Sequence, residues 1–168
     1  MDRSERSAYD EAVYYLTRRL RTVAEMRAHL RDKGYAKEEI GYVIDELVSA
    51  GYLDDYAYAT LYLERGYGKK RGARRLRQEL ADRGVPADTI ETALRDYEDA
   101  NGIDEFTRAL DVARLAAQDM RELGDREQAK IARKLSGLGY SNRDIYKVLA
   151  ALRAEAAERK LDEDFYDS

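Results

Sequence analysis

Apolar residues recur along this chain at helical spacing almost everywhere, and the alternation of a strand is nearly absent. Val13, Leu16 and Leu20 form one stripe, and Val23, Met26 and Leu30 the next. Ile40, Val43, Ile44, Leu47 and Val48 give a third, with the i, i+3, i+4, i+7, i+8 pattern of a core-facing helix. Thr22-Val23-Ala24-Glu25 fits a capping box, which predicts a break between the first two helices near Arg21–Thr22. Gly51 follows the third stripe as a C-terminal stop.

Laid against itself, the chain repeats. Met26-x3-Leu30-x3-Gly34-Tyr35-x4-Ile40 matches Leu76-x3-Leu80-x3-Gly84-Val85-x4-Ile90 and Ile131-x3-Leu135-x3-Gly139-Tyr140-x4-Ile145. Ile44, Leu94 and Leu149 coincide, as do Leu47, Tyr97 and Leu152. Each copy reads as a helix, a glycine turn and a second helix entered through a cap position at Ala36, Pro86 or Ser141. The glycine suits the left-handed conformation that closes a helix, and the apolar residue after it packs back on the last turn. A preceding helix, over about 10–21, 54–67 and 103–120, completes each unit. The prediction is an all-α chain of three tandem three-helix repeats (1–53, 54–101 and 102–157) in an elongated curved array, followed by an acidic tail over 158–168.

Composition narrows the chemistry. With no Cys there is no disulfide framework, zinc ribbon or thiol nucleophile, and one His leaves a single imidazole. No cofactor or metal is expected, and no catalytic residue. No stretch approaches a membrane span, and charges interrupt the start as they do not in a signal peptide. The chain therefore reads as soluble, cytoplasmic and monomeric.

The formal charge of −4 hides segregation. Arg65, Lys69, Lys70, Arg71, Arg74, Arg75, Arg77 and Arg83 face only Glu79 and Asp82 between residues 65 and 84, a net of +6. Residues 85–105 carry a net of −6. On a helix starting near Arg71 with Ala73, Leu76 and Leu80 inward, Arg71, Arg74, Arg75 and Gln78 lie on the opposite, solvated face. Guanidinium forks suit phosphate, and clustered cations gain by displacing counterions from a polyanion. The bland alternative is a solvated helix face balanced by acids elsewhere. A pI near 5.3 speaks against a dedicated DNA binder and for docking on another protein, one already coated with nucleic acid.

Gly51-Tyr52-Leu53-Asp54-Asp55-x2-Tyr58-Ala59 leading to Arg65, Gly72, Arg75-Leu76, Glu79-Leu80 and Arg83-Gly84, set in repeated three-helix units, resembles the RecX family over roughly residues 10–157. The resemblance implies a bacterial regulatory protein acting on the RecA recombinase. It implies a curved helical array lodged in the groove of the RecA–DNA filament, restraining strand exchange, ATP hydrolysis and coprotease function in recombination, repair and the SOS response. It also implies weak DNA binding, mainly by the central repeat.

Other features have local explanations. Asp54-Asp55 suit the cap and first turn of the fourth helix better than a metal. Gly66-x-Gly68-x3-Gly72 lacks the Gly-Lys-Ser/Thr ending of a nucleotide loop and reads as a flexible basic hinge. His29 shows no catalytic partner and reads as a boundary residue, and Tyr35 and Tyr140 as packing residues. Tyr62 and Tyr67 flank the basic segment, available either to stack on bases or to pack. Glu163, Asp164 and Asp167 read as a frayed tail. The competing functional class is a helix-turn-helix transcription regulator. Its candidate reading helices offer Lys37, Glu38 and Glu39, or Asp88, Thr89 and Glu91, and such acids sit poorly beside phosphates. An inert helical scaffold is the third possibility.

Overall fold

The computed structural model describes residues 6–118 and 123–166, with side chains up to Asp162. The described residues form nine helices and no strand: α1 Ala8–Leu16, α2 Val23–Asp32, α3 Lys37–Ser49, α4 Asp55–Gly68, α5 Ala73–Asp82, α6 Ala87–Asn101, α7 Glu105–Ala117, α8 Asp125–Leu138 and α9 Asn142–Tyr166. This is the all-α helical repeat that the periodicity predicts.

The glycine turns close the second helix of each module in one way. Gly34, Gly84 and Gly139 have φ of +89°, +79° and +97°. The next amide, of Tyr35, Val85 or Tyr140, donates back to the carbonyl of Leu30, Leu80 or Leu135, the 6→1 bond of a Schellman motif. Those three leucines are fully buried, as are Met26, Leu76 and, within 1%, Ile131. One residue type at one repeat position thus closes the helix and fills the core.

Two compact units divide the chain: Met1–Leu63 with Arg77–Asp96, and Glu64–Leu76 with Tyr97–Ser168. Helices α4, α5 and α6 therefore contribute residues to both. In the first unit Ala8, Ala12, Met26, Leu30, Ile40, Val43, Ile44, Leu47 and Leu53 cluster. In the second, Ala109, Leu110, Val112, Ala113, Ile131, Leu135, Tyr140, Ile145, Val148 and Leu152 do so.

An interlock recurs inside each unit. In the first, the Thr22 hydroxyl at the start of α2 donates to the Arg83 carbonyl at 2.7 Å, and Gly84 packs against Ala24 with no room for a Cβ. In the second, the Gly72 amide at the start of α5 donates to the Leu138 carbonyl at 2.8 Å, and Gly139 packs in the same way against Arg75. Thr22 and Gly72 are equivalent repeat positions, as are Gly84 and Gly139. The start of one module's second helix sits on the glycine turn of the next.

Several expectations need correction. Helix α1 stops at Leu16, where Thr17 caps it and turns its hydroxyl onto the Tyr14 carbonyl at 2.7 Å. The Val13–Leu16–Leu20 stripe therefore runs past the end of α1, with Val13 41% and Leu20 52% exposed. The buried face is Ala8, Glu11 and Ala12. Val48 is likewise exposed, and Leu53 fills the core beyond the helix end. Helix α5 starts at Ala73 rather than near Arg71. The frayed tail is not observed over Glu163 and Asp164, which continue α9, while Asp167 lies outside the described residues, as do 119 and 120 of the predicted seventh helix.

Candidate nucleic-acid interface

The basic segment 65–75 is built as a rigid corner. Gly66 lies inside α4 where an added Cβ would overlap the Leu76 side chain, so it allows close helix packing. Gly72 serves the same purpose against the turn at Gly139. The flexible hinge read from these glycines is thus overturned by their packing. Between them the chain turns through Lys70 at φ 61°, in the left-handed region that a non-glycine residue adopts at a cost. Contacts from within the same unit hold it there. Arg108 donates to the Tyr67 carbonyl at 2.7 Å, the Tyr140 hydroxyl to the Lys70 carbonyl at 2.9 Å, and the Ala73 amide to Glu105 at 3.1 Å. Burial, with Glu98 nearby, holds the Glu105 carboxyl above the ordinary range despite its bond to Ala73.

The eight predicted cations separate into distinct settings. The side chains of Arg65, Lys69 and Lys70 are exposed and make no hydrogen bond or ion pair among the described residues. Arg74 and Arg75 do not project together into solvent. They donate to the Ser136 and Gly137 carbonyls at 2.9 and 3.1 Å, at the C-terminal end of α8 where the helix dipole favours cations. Arg71 and Arg75 are half-buried. Arg77, in the first unit, forms a two-pronged pair with Glu91 at 2.5 and 3.2 Å, which holds that carboxyl below its usual range. Arg83, also in the first unit, lies 5.0 Å from the Tyr62 ring centre and 3.7 Å from Glu25. The structure brings six of the eight into one unit and leaves the side chains of three of those without a partner among the described residues.

The tyrosines resolve toward packing. Tyr67 is buried, stacked on Tyr97 at 5.5 Å with its hydroxyl on Glu98 at 2.5 Å. Burial, then that bond, pushes its hydroxyl far above the ordinary tyrosine range. Tyr62 donates to Glu79 at 2.7 Å. Tyr140 is fully buried, and Tyr35 bonds the Arg6 carbonyl at 2.9 Å. Asp54 caps α4 through the Ala57 amide, and Asp55 accepts from Val23, each at 2.9 Å.

Sequence reasoning missed one buried acid. Glu11 is 5% exposed and faces His29 at 2.8 Å, Lys33 at 3.6 Å and Arg6 at 3.7 Å. Desolvation raises its carboxyl pKa, but these partners outweigh it and hold it below the ordinary value. His29 thus has an acidic partner and stacks on Tyr15 at 3.7 Å. The i, i+3, i+4 arrangement of Ala8, Glu11 and Ala12 was the available signal, hidden because a charge on an inward face reads as outward.

Fold and site together define an all-α protein of repeated three-helix modules with a pinned cationic corner. Residues 8–47 match the family model described as RecX, first three-helix domain, and residues 54–94 that of the RecX second three-helix domain. The regulatory protein RecX of Vibrio vulnificus is 33% identical over 144 residues, covering 86% of this chain and 92% of its own length. That of Mycolicibacterium vanbaalenii is 33% identical, covering 86% and 82%. That of Geobacillus thermodenitrificans is 31% identical over 86% of this chain, which spans only 54% of that relative's length. The crystal structure of RecX from Lactobacillus salivarius superposes with a TM-score of 0.75 at 24% identity, covering 88% of this chain and 95% of its own, and so shares the fold. The chain belongs to the RecX family. Among the described residues no helix is long and apolar enough to cross a membrane.

Proposed function

We propose that this chain is a non-enzymatic modulator, mainly an inhibitor, of the RecA recombinase. It binds the groove of the RecA–DNA filament and restrains strand exchange, ATP hydrolysis and coprotease activity in recombination and the SOS response. Family membership carries the reading. The geometry supports it by holding Arg65, Lys69 and Lys70 outward on a corner whose backbone is fixed by Arg108, Tyr140 and Glu105. A cation on a rigid mount loses less freedom on meeting a phosphate than one on a mobile loop. Repeated modules supply a broad surface for a filament, and weak DNA contact by exposed cations is salt-sensitive and indifferent to base sequence.

The test is steady-state ATP hydrolysis by RecA on single-stranded DNA with increasing protein. Hydrolysis is expected to fall to a low plateau, and Arg65→Glu with Lys69→Glu and Lys70→Glu to shift that curve to higher protein concentration. Unchanged hydrolysis at saturating protein, together with no co-sedimentation with the filament, removes the reading.

A further inference from the structure

The interlock shows which helix face each module offers to its neighbour, and what happens where none sits on it. In the central module that face carries Arg71, just before α5, and Arg75 within it, and Arg75 is taken up by the turn at Gly137–Gly139. At the repeat spacing of 55, Arg71 and Arg75 correspond to Arg126 and Lys130 of α8. Nothing among the described residues covers that face of α8. Arg126, Ala129, Lys130, Arg133 and Lys134 are all exposed, whereas Ile131 and Leu135 point into the core.

At about 100° per residue, Arg126, Lys130 and Arg133 project within about 60° of one another, and Lys134 lies about 40° further round. Along the axis Lys130 lies about 6 Å beyond Arg126, and Arg133 about 4.5 Å beyond Lys130. No acid falls among Arg126, Lys130 and Arg133, while Asp125 and Glu127 sit in the first turn of α8, Glu127 about 20° round from Lys134. None of the four cations makes a hydrogen bond or ion pair among the described residues, in contrast to Arg74, Arg75 and Arg77. The stripe runs toward the helix end where Arg74 and Arg75 bind carbonyls.

From this we infer that the exposed face of α8 is a binding track for a nucleic-acid phosphodiester backbone, read by Arg126, Lys130, Arg133 and Lys134. Arg74 and Arg75 are positioning residues that fix the end of that helix. A row of cations without partners among the described residues matches a linear polyanion, whereas a compact anion needs donors converging on one point. A further module docking on this face, as on α5, would bring a single helix end and leave Arg133 and Lys134 without partners. The inference deepens the proposed function, resting on its reading that the protein meets DNA, and adds to the corner of the central module a second contact in the third.

The test is fluorescence anisotropy of the full chain, without RecA, on a labelled oligothymidylate and on a duplex of equal length, over a salt series. For the combined Arg126→Gln, Lys130→Gln and Arg133→Gln variant, affinity is expected to fall at least tenfold at about 0.1 M salt. The slope of log affinity against log salt should flatten by about 0.7 per cation removed on the single strand. Arg74→Gln with Arg75→Gln should lower Tm, and after correction for unfolded protein leave that slope nearly unchanged. An unaltered affinity and slope in the triple variant, with native helix content by circular dichroism, overturns the inference. So does a wild type that binds neither oligonucleotide at low salt, or a triple variant that loses only self-association or binding to polyglutamate. RecA inhibition by the wild type is scored separately, so loss of the track leaves the family reading standing, and loss of inhibition leaves the track.

Discussion

At Gly72 the chain passes so close to the next glycine turn that an added Cβ would stand 2.6 Å from both the carbonyl carbon and the oxygen of Gly139 and 2.8 Å from the Tyr140 nitrogen. These are backbone atoms, which cannot swing aside as the end of a side chain does. The Gly72 amide is meanwhile committed to the Leu138 carbonyl. Gly72→Ala is therefore expected to destabilise the chain by about 1–3 kcal/mol, the usual cost of overpacking, with the midpoint of urea unfolding lowered accordingly. Gly34→Ala separates this cause from conformational freedom. Its φ of +89° disfavours a side chain, but nothing lies within 4 Å of an added Cβ, so only the strain of the left-handed region remains, about 1 kcal/mol. Gly72 has no positive φ, so its loss comes from packing alone, and a midpoint unchanged by Gly72→Ala would show that packing there contributes nothing.

Helix α5 has no side chain of its own behind Ala73 to satisfy its first amides, because the preceding residue is Gly72. It borrows the carboxylate of Glu105 from α7, 32 residues away. Burial raises the pKa of that carboxyl in the folded chain above its unfolded value near 4.5. In the window opening at 4.5 the folded state therefore holds a proton that the unfolded state has lost, and the contribution of Glu105 to stability falls as pH rises through it. Glu105→Gln keeps a carbonyl oxygen for the Ala73 amide and removes the titration. The Tm difference, wild type minus variant, is expected to decline as pH climbs from 4 to 7, and a flat or rising difference would refute this account. The same helix shows why part of the architecture was legible and part was not. The turns at Gly34, Gly84 and Gly139 rest on bonds five residues long at most, so repeat spacing exposes them. The carbonyl partners of Arg74 and Arg75 lie 62 residues away, and no local period encodes such a pairing. A helical wheel correctly turns Arg74 and Arg75 away from Leu76, but cannot show that another helix end occupies that side. Helix α8 was overlooked for a related reason: Arg126–Lys134 holds half as many cations as 65–84, and only the lack of side-chain partners among the described residues singles them out.

For the whole molecule, a formal charge of −4 and a pI near 5.3 coexist with surfaces of opposite sign. Asp162, Glu163, Asp164 and Asp167 account for as many negative charges as the entire net excess, and residues 161–168 contain no Lys or Arg. Leu152 is the last fully buried residue of α9 among those described, and the Arg114–Glu155 pair at 2.7 Å lies well before residue 161. Ending the chain at Lys160 should therefore leave Tm within about 2 °C while bringing the formal charge to zero, since Leu161 and Asp162 are exposed and such positions contribute little to stability. If these acids act on nucleic acid only through the field of the molecule, their repulsion must follow the screening length, about 30 Å at 0.01 M salt and about 8 Å at 0.15 M. The shortened chain is then expected to bind an oligonucleotide several-fold more tightly than the full chain at 0.01 M salt, with the two curves meeting by 0.15 M. A gain that persists at the higher salt would mean that the acids cover a cationic face directly, because a bond at contact distance is not screened away by the solvent around it.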